Sequence, residues 1–203
     1  DSLISYKGVN LIHMPCLRGK ITETFSHSFL SLIHSLFINA DDLFVMNAAN
    51  GPLCIIPKLF RKKIVINVDG LEWRRKKWGK IGRFYYLFSE WASSKIATRV
   101  VSDAIGIKDY YLERYKTDST FIAYGAQIEK STNGNILDEY GLQADNYFFI
   151  ASRLEPENNA DIVVKAMKYL NTDKKLVIAG GANYKSDYIK ALMDTSDNRI
   201  VFL

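Results

Sequence analysis

The sequence predicts an α/β fold in which parallel, doubly wound sheets carry helices on both faces. Short runs rich in β-branched and aromatic residues alternate with amphipathic stretches along nearly the whole chain. Most of these runs are continuously apolar, as expected for parallel strands that are covered on both faces. The βαβα order is regular, and this regularity favours a doubly wound architecture.

Strands are expected where a short apolar run is bounded by polar or turn-forming residues. In chain order, the expected strands are 8–14, 43–47, 63–68, 99–102, 120–124, 147–152, 175–180 and 199–203. Helices are expected between them, where apolar residues recur at helical spacing and form a stripe of the kind that faces a core. The stripes are Phe25, Phe29, Leu32 and Leu36; Ile81, Phe84, Phe88 and Trp91; Ile107, Tyr111 and Tyr115; and Ile162, Val163, Ala166 and Leu170.

The chain divides at one polar segment, 125–146, which is rich in Asn and Gly and lacks a strong apolar period. We interpret this segment as an interdomain connection that is followed by a new βαβαβ unit. The expected organisation is a first domain over 1–128, a linker over 129–146 and a second domain over 147–203. Because the chain starts without methionine and ends in an apolar strand, we expect a fragment in which both domains are incomplete.

The composition is that of an ordinary globular protein, with 48% hydrophobic and 24% charged residues among 203. The formal net charge of +5 is concentrated in residues 72–83, which hold six cations and one anion, while the rest of the chain has 21 residues of each sign. A basic field over the whole protein, of the kind that attracts nucleic acid, is therefore not indicated. We expect no nucleic-acid partner.

Cysteine and histidine are sparse and form no recognisable site. Cys16 and Cys54 lack CxxC spacing and are expected to be buried, reduced side chains. His27 and His34 could share a helix face, but no third ligand is near them in the sequence, so no metal site is predicted. The sequence also contains no D-x-D motif, no signal peptide and no apolar run approaching the ~20 residues that span a bilayer.

Residues 148–167, FFIASRLEPENNADIVVKAM, present an arginine where a buried strand ends and a helix follows. Ligands of open α/β sheets bind beyond the carboxyl ends of strands, and Arg153 can donate two hydrogen bonds to a phosphate there. The N-terminus of the following helix adds amide donors and partial positive charge. Equally, Arg153 can pair with Glu155 or Glu157 and only hold the turn.

The next strand, in LVIAGGANY (176–184), ends in Gly180 and Gly181. Glycines at this position let backbone amides approach a diphosphate closely. The alternative is an ordinary turn between a strand and a helix. Two successive strand ends that both suit a phosphate are better evidence for a phosphate site than either one alone.

These two motifs carry a family resemblance. SRLEPENN (152–159) followed by LVIAGGANY resembles the start of the nucleotide-sugar domain of family 4 GT-B glycosyltransferases, whose usual pattern is GRL-x-PEKG and then a Gly-rich strand end. The stretch 66–126, from INVDGLEWRRKKWGK to IAYGA, resembles the N-terminal domain of a bacterial subgroup, domain of unknown function 1972. That subgroup includes rhamnosyltransferases and related enzymes of capsule and O-antigen assembly.

The resemblance implies a GT-B-like fold of two Rossmann-like domains, with the donor site in the second. Arg153 matches the family's arginine that contacts the donor diphosphate. Asn158 stands where the family has the lysine of PEK, and Ser152 stands where it has the first glycine. The neutralisation of the diphosphate is therefore expected to depend more on Arg153 and the helix end, with Gly180 and Gly181 completing the site.

The family's E-x7-E pair, which holds the donor sugar and ribose, is absent from this chain. We therefore expect the 203-residue piece to be inactive by itself. In enzymes of this type, arginine, lysine and helix dipoles stabilise the leaving nucleoside diphosphate. The resemblance thus implies no metal and no cofactor, with a nucleoside-diphosphate sugar as donor substrate.

The segment after strand 63–68 is expected to face the cleft of such an enzyme. Asp69 and Glu72 lie there, and either carboxylate could orient or deprotonate the acceptor hydroxyl, or stabilise positive charge at the anomeric carbon. The alternative is that Asp69 and Gly70 form a turn and that Glu72 offsets the neighbouring cations. The turn 47–51 ends another strand on the same side of the sheet and could line the acceptor cleft.

Basic and aromatic residues follow these carboxylates. Lys and Arg beside Trp is the composition expected where a peripheral protein meets anionic headgroups or an anionic acceptor. An ordinary solvated face is the alternative. The residues expected to face the acceptor or the membrane are Trp73, Arg74, Arg75, Lys76, Lys77 and Trp78.

The resemblance implies transfer of a hexose or deoxyhexose, such as rhamnose, with retention of anomeric configuration. The donor would be a nucleoside-diphosphate sugar, and the acceptor a polyprenyl-diphosphate-linked oligosaccharide or a growing surface polysaccharide. The expected location is the cytoplasm, peripheral to the inner face of the bacterial plasma membrane. The alternatives are a non-catalytic α/β module that binds a nucleotide or anionic lipid, and a GT-B-like nucleotide-sugar epimerase.

Overall fold

The computed structural model describes residues 4–19, 22–75, 78–128, 135–181, 187–194 and 197–203. The chain forms two compact units, unit 1 over Asp1–Ala126 and unit 2 over Gln127–Leu203. Each unit contains a parallel sheet with helices between its strands, so the predicted α/β fold class is confirmed.

Unit 1 alternates strands and helices along the chain. Its helices and strands are β1 (Ser5–Tyr6), β2 (Val9–Asn10), α1 (Thr22–His34), β3 (Asp42–Met46), α2 (Ile55–Leu59), β4 (Lys63–Val68), α3 (Lys80–Ile96), β5 (Arg99–Ser102), α4 (Ile105–Tyr115) and β6 (Thr120–Phe121). Two 3-10 segments, Ala48–Cys54 and Glu72–Arg74, follow β3 and β4 respectively.

The main sheet of unit 1 pairs its strands in parallel in the order β3-β4-β5-β6. Ile64, Ile66 and Val68 of β4 have no exposed surface, because a strand in the middle of a parallel sheet is covered on both faces. All four strands have their carboxyl ends at the same edge of the sheet. The turn 47–51 and Asp69 therefore both begin at this edge.

The N-terminal segment differs from the prediction of a strand over 8–14. Ser5–Tyr6 and Val9–Asn10 instead pair as an antiparallel hairpin, and residues 11–18 have no regular structure. The two residues between the short strands, Lys7 and Gly8, have φ of 48° and 82°. Positive φ at both central residues is the geometry of a tight hairpin turn, so the chain reverses where a continuous strand was expected.

Unit 2 is smaller and has the parallel strand order β7-β8-β9. Its helices and strands are α5 (Asn135–Glu139), β7 (Tyr147–Ala151), α6 (Ala160–Met167), β8 (Lys175–Ala179), α7 (Asp187–Met193) and β9 (Ile200–Phe202). A core of buried side chains joins the sheet to its helices: Leu154, Ala160, Val164, Met167, Leu176, Ile178 and Leu192. Helix α5 and the buried Leu142 lie inside the segment 125–146, which was interpreted as an interdomain connection without a strong apolar period.

The predicted helical stripes have different outcomes. Tyr111 of α4 and Leu32 of α1 are buried, as predicted. In α6 the core side is formed by Ala160, Val164 and Met167, while Ile162 is 59% exposed, so the predicted face is wrong there. The short helix packs into the core through Ala160, Val164 and Met167, which are spaced i, i+4 and i+7, and not through the stripe that begins at Ile162.

Helix α3 departs most from its prediction, because its apolar stripe faces solvent. Ile81 is 88% exposed and Phe84 is 72% exposed, and Phe88 and Trp91 are each nearly half exposed. The side that packs inward carries small and polar residues: Ser89, Glu90, Ala92 and Ser93. The prediction that this stripe faces a core is therefore wrong.

The inward side of α3 is small because the 3-10 segment Ala48–Cys54 lies directly against it. A Cβ on Gly51 would meet the hydroxyl of Ser93, and would come within 2.7 Å of the carbonyl oxygen of Ser89. Ser93 donates a hydrogen bond to the carbonyl of Ala48 at 3.1 Å, and Tyr85 donates one to Ala49 at 2.9 Å. Such a close approach of two backbones leaves room only for small side chains.

Candidate functional site

The carboxyl ends of β7 and β8 are joined in unit 2 by main-chain hydrogen bonds. The amide of Ser152 donates to the carbonyl of Ala179 at 3.1 Å, and the amide of Leu154 donates to Gly181 at 3.0 Å. Leu154 is 1% exposed and anchors this turn in the core. The two motifs that suggested a phosphate site are thus held together as one rigid corner.

Gly180 is required by this corner. It has a φ of +150°, which L side chains rarely adopt, and a Cβ at this position would collide with the carbonyl oxygen of Ser152. Gly181 is different, because no atom lies within 4 Å of where its Cβ would be. Close packing in the turn between strand and helix therefore explains Gly180. Of the two glycines, Gly181 is the one that borders open space, where a diphosphate could approach.

Arg153 extends from the corner and is exposed. Among the described residues, no carboxylate forms an ion pair with it, so neither Glu155 nor Glu157 holds it in the way that the alternative required. Asn158 donates a side-chain hydrogen bond to the carbonyl of Arg153 at 2.7 Å. Asn158 therefore braces the backbone beneath the guanidinium.

Two further features surround Arg153. The hydroxyl of Ser152 is buried and has no partner within the described part of the chain. Helix α6 starts at Ala160, as the sequence indicated, and its first-turn residue Asp161 donates its amide to the hydroxyl of Tyr188 at 3.2 Å. The corner thus presents a guanidinium and an unused hydroxyl on a fixed backbone.

Unit 1 contains a largely apolar cavity of about 360 Å³ beside α3. It is lined by Leu17, Thr22, Thr24, Phe25, Ser26, Ala49, Asn50, Leu53, Trp78, Tyr85 and Tyr86. Its aromatic wall is continuous, since the rings of Trp78 and Tyr86 lie 4.9 Å apart. Burial, reinforced by the nearby charge of Glu72, raises the pKa of Tyr86 to about 12, so this phenol stays neutral.

The predicted carboxylates of unit 1 both make local contacts. Asp69 accepts a hydrogen bond from the amide of Gly70 at 2.7 Å, which is the turn that the alternative interpretation described. Glu72 pairs with Arg75 at 3.0 Å and accepts a bond from the indole of Trp78 at 3.4 Å. Glu72 thus holds Trp78 at the wall of the cavity, and a catalytic role for either carboxylate stays a prediction.

The basic segment is attached to unit 1 by stacking. The guanidinium of Arg74 lies 5.2 Å from the ring centre of Trp73, and that of Arg114 lies 5.8 Å from the same ring. Trp73 and Trp78 are half-buried, while Arg74 is exposed. Lys76 and Lys77, also predicted to face an acceptor or a membrane, lie outside the described residues.

The turn 47–51 is shaped by its asparagines. Asn47 has a φ of 72°, and its side chain accepts a hydrogen bond from the amide of Ala49 at 2.9 Å. Asn50 donates to the carbonyl of Met46 at 2.9 Å and lines the cavity. The turn therefore borders the cavity of unit 1 through Ala49 and Asn50, and its place at an acceptor cleft stays a prediction.

Sequence reasoning missed polar atoms at the carboxyl edge of the unit 1 sheet. Ser102 and Asp103 are of the residue types that commonly cap a helix, but the N-cap of α4 is Ala104, and the hydroxyl of Ser102 is hydrogen-bonded to that of Ser119. One carboxylate oxygen of Asp103 is consequently buried without a partner among the described residues. The side-chain oxygen of Asn67, 3% exposed in β4, is unpaired in the same sense.

Nothing in the sequence indicated that Glu90 is buried. This carboxyl group is 3% exposed and accepts hydrogen bonds from Tyr110 at 2.9 Å and Tyr115 at 2.7 Å. Burial raises its pKa above the ordinary value, and the two tyrosine hydroxyls oppose that effect. A raised pKa means that the folded state binds a proton more readily than the unfolded chain.

We expect the free energy of unfolding of the wild-type chain to fall as the pH rises above about 4.5, the ordinary glutamate pKa, until Glu90 is fully ionised in the folded state. Glu90→Gln keeps an acceptor for both tyrosines and removes the charge, so this component of the pH dependence should disappear. Urea unfolding at a series of pH values measures it. A variant whose pH profile parallels that of the wild type would contradict the assignment.

The described ranges contain no cluster of three or more His, Cys, Asp or Glu residues that could hold a metal ion. Nor does any helix within those ranges combine the length and the apolar character needed to cross a bilayer. The cysteines differ from their prediction in part: Cys54 is buried, but Cys16 is exposed.

Comparison with solved structures shows similarity over most of the chain. HepE of Anabaena, in a complex with UDP-glucose, gives a TM-score of 0.70 at 15% identity over 89% of this chain and 52% of that protein. A glycosyltransferase from Rickettsia africae ESF-5 gives 0.61 at 15% identity over 95% and 54%. A candidate UDP-N-acetylglucosamine 2-epimerase from Listeria monocytogenes gives 0.58 at 16% identity over 91% and 52%.

The chain spans about half the length of each of these structures. Among curated proteins, none matches the sequence significantly. A family model does match part of unit 1: residues 43–127 fit the domain of unknown function DUF1972. The chain thus contains a DUF1972 match over 43–127 and has the α/β fold of GT-B glycosyltransferases.

Proposed function

We propose that the chain is part of a retaining, metal-independent glycosyltransferase. It would transfer a hexose or deoxyhexose from a nucleoside-diphosphate sugar to a lipid-linked or growing surface polysaccharide, as in capsule or O-antigen assembly. The proposal includes a peripheral location at the inner face of the bacterial plasma membrane. The UDP-glucose bound by HepE, which shares the fold, makes a UDP-sugar the first donor to test.

The proposal rests on the position and exposure of Arg153 at the end of β7. Its guanidinium is exposed, has no carboxylate partner among the described residues, and stands on a backbone that Asn158 and Leu154 fix. When the bond between the anomeric carbon and the phosphate oxygen breaks, negative charge develops on the leaving diphosphate. A preorganised guanidinium can stabilise that charge without reorganising, and electrostatic stabilisation of this kind accounts for much of the rate enhancement of many enzymes.

The cavity of unit 1 is proposed as part of the acceptor site. Aromatic walls such as that of Trp78 and Tyr86 suit the apolar faces of a sugar ring or a lipid, and Asn50 adds an amide. The hydroxyl of the acceptor would attack the anomeric carbon and lose its proton. Asp69 is the better candidate for the carboxylate that meets this hydroxyl, since both oxygens of Glu72 are engaged by Arg75 and Trp78.

Arg153→Ala in the full-length protein is expected to weaken binding of UDP and UDP-sugars by about 10- to 100-fold, the effect of losing charge-assisted hydrogen bonds to a phosphate. Arg153→Lys should recover only part of this affinity, because an ammonium cannot form the bidentate fork. Titration calorimetry and thermal stabilisation by a panel of nucleotide sugars measure both effects.

Lys190→Ala is the matched control, since it removes an exposed cation of the same unit. Unchanged UDP affinity in Arg153→Ala, or an equal loss in Lys190→Ala, would refute the donor site. Nucleotide binding without sugar transfer to any lipid-linked acceptor would favour a non-catalytic binding module. Conversion of one nucleotide sugar into its epimer would favour the epimerase.

A further inference from the structure

We propose that the exposed stripe of α3 docks unit 1 onto an anionic membrane surface. The stripe consists of Ile81, Phe84, Phe88 and Trp91, which lie along one side of the helix. The inference deepens the proposed function and rests on its peripheral location, because it names the surface that would make the contact. Neither the DUF1972 match nor the fold assigns a role to this stripe.

The stripe is an apolar surface of the kind that a protein keeps for a partner. Ile81 and Phe84 are 88% and 72% exposed, and the rings of Phe88 and Trp91 stack with their centres 5.7 Å apart. Single exposed apolar residues are common on proteins, but a contiguous row on one helix face is not. The opposite side of α3 packs against the segment Ala48–Cys54.

The charges around the stripe favour an anionic partner. Exposed cations stand near its two ends, with Lys80 and Arg83 at the first turn and Lys95 at the last, where Lys95 also donates to the carbonyl of Tyr115 at 3.4 Å. The acidic residue of α3 is Glu90, and it is buried on the other side of the helix. Along the sequence, the segment 72–83 with its local charge of +5 overlaps the first turn of α3.

An apolar row flanked by cations is the pattern of helices that lie in the plane of a membrane interface, with the row among the acyl chains and the cations at the headgroups. A second copy of the chain fits less well. Twofold antiparallel packing of α3 on itself would bring Lys80 and Arg83 towards Lys95 of the other copy, so like charges would meet.

The test is sedimentation of the full-length protein with vesicles made of equal parts phosphatidylglycerol and phosphatidylcholine. The wild type should bind, and binding should fall strongly at high salt and with vesicles of pure phosphatidylcholine. The double variant Phe84→Gln, Phe88→Gln should bind the vesicles at least about tenfold more weakly, since two aromatic side chains no longer insert. Phe37→Gln with Phe60→Gln is the matched control, because it changes two other exposed phenylalanines of unit 1.

Thermal unfolding by circular dichroism establishes that the variants fold. The proposal is overturned if the wild type does not bind the anionic vesicles or if the stripe variant binds them as well as the wild type does. It is equally overturned if the wild type binds vesicles of pure phosphatidylcholine as well as the anionic vesicles. It is also overturned if the stripe variant only converts a dimer into a monomer, since a second copy would then cover the stripe. Arg153→Ala should leave vesicle binding intact and the stripe variant should leave UDP affinity intact, so failures of the two proposals are distinguishable.

Discussion

Gly180→Ala is expected to lower the free energy of unfolding of unit 2 by about 3 kcal/mol or more, the combined effect of a strained backbone and an overpacked contact. The φ of +150° at Gly180 disfavours any L side chain, and the added methyl group would collide with the main-chain carbonyl of Ser152. Neither group can yield alone, since Ser152 and Leu154 are bonded to the neighbouring strand end. The corner that presents Arg153 would have to open.

The effect of Gly180→Ala can be measured by urea unfolding and by hydrogen exchange at the amides of Ser152 and Leu154. Gly181→Ala is the control, because no atom lies within 4 Å of its added methyl group, and it should change stability by less than about 1 kcal/mol. UDP affinity should fall with Gly180→Ala even where the variant stays folded, because Arg153 would lose its position. Equal behaviour of the two glycine variants would show that the corner is not rigid.

Gly51→Ala is expected to destabilise unit 1 by about 2–4 kcal/mol, because an extra methyl group must displace backbone in a tight contact. A Cβ at Gly51 would lie 2.7 Å from the carbonyl oxygen of Ser89 and 2.8 Å from the amide nitrogen of Ser93. Helix α3 would have to move away from Ala48–Cys54, and the cavity between Asn50 and Tyr85 would change shape.

Tryptophan fluorescence during urea unfolding measures this loss, since all three tryptophans of the chain lie in unit 1. Gly106→Ala is the contrasting variant, because Gly106 is inside α4 with open space around it. That substitution should stabilise the helix by about 0.5–1 kcal/mol. A Gly51→Ala chain as stable as the wild type would mean that α3 can shift freely on its neighbour.

Strands were predictable where burial on both faces leaves a continuous apolar run. The run 63–68 is confirmed as β4, and 99–102 as β5. Helix faces were less predictable, because hydropathy assumes that the larger apolar residues turn inward. In α3 the backbone at Gly51 lies so close to the helix that only small residues such as Ser89 and Ser93 fit on the inward side. The larger Phe84 is therefore on the exposed side.

Part of the candidate site could also be predicted. Arg153 and Gly180 lie at strand ends, and a strand end is visible in the sequence. The cavity of unit 1 could not be found in this way, because its wall combines α1, the turn after β3 and α3, which are far apart along the chain. The burial of Glu90 was equally unpredictable, since a single acid in an amphipathic helix is normally solvated. Hydrogen bonds from Tyr110 and Tyr115 and the nearby charges of Arg114 and Arg74 offset the cost of burying it.

Cys16 is a natural site for chemical labelling, because it is exposed while Cys54 is buried. Burial raises the pKa of the Cys54 thiol to about 12, so this group stays protonated and shielded, whereas Cys16 is exposed and adjoins Leu17 in the wall of the cavity. Thiol reagents react through the thiolate, and they should therefore select Cys16 without any engineering of the chain. A fluorophore attached there would sit beside the cavity and report directly on whatever enters it.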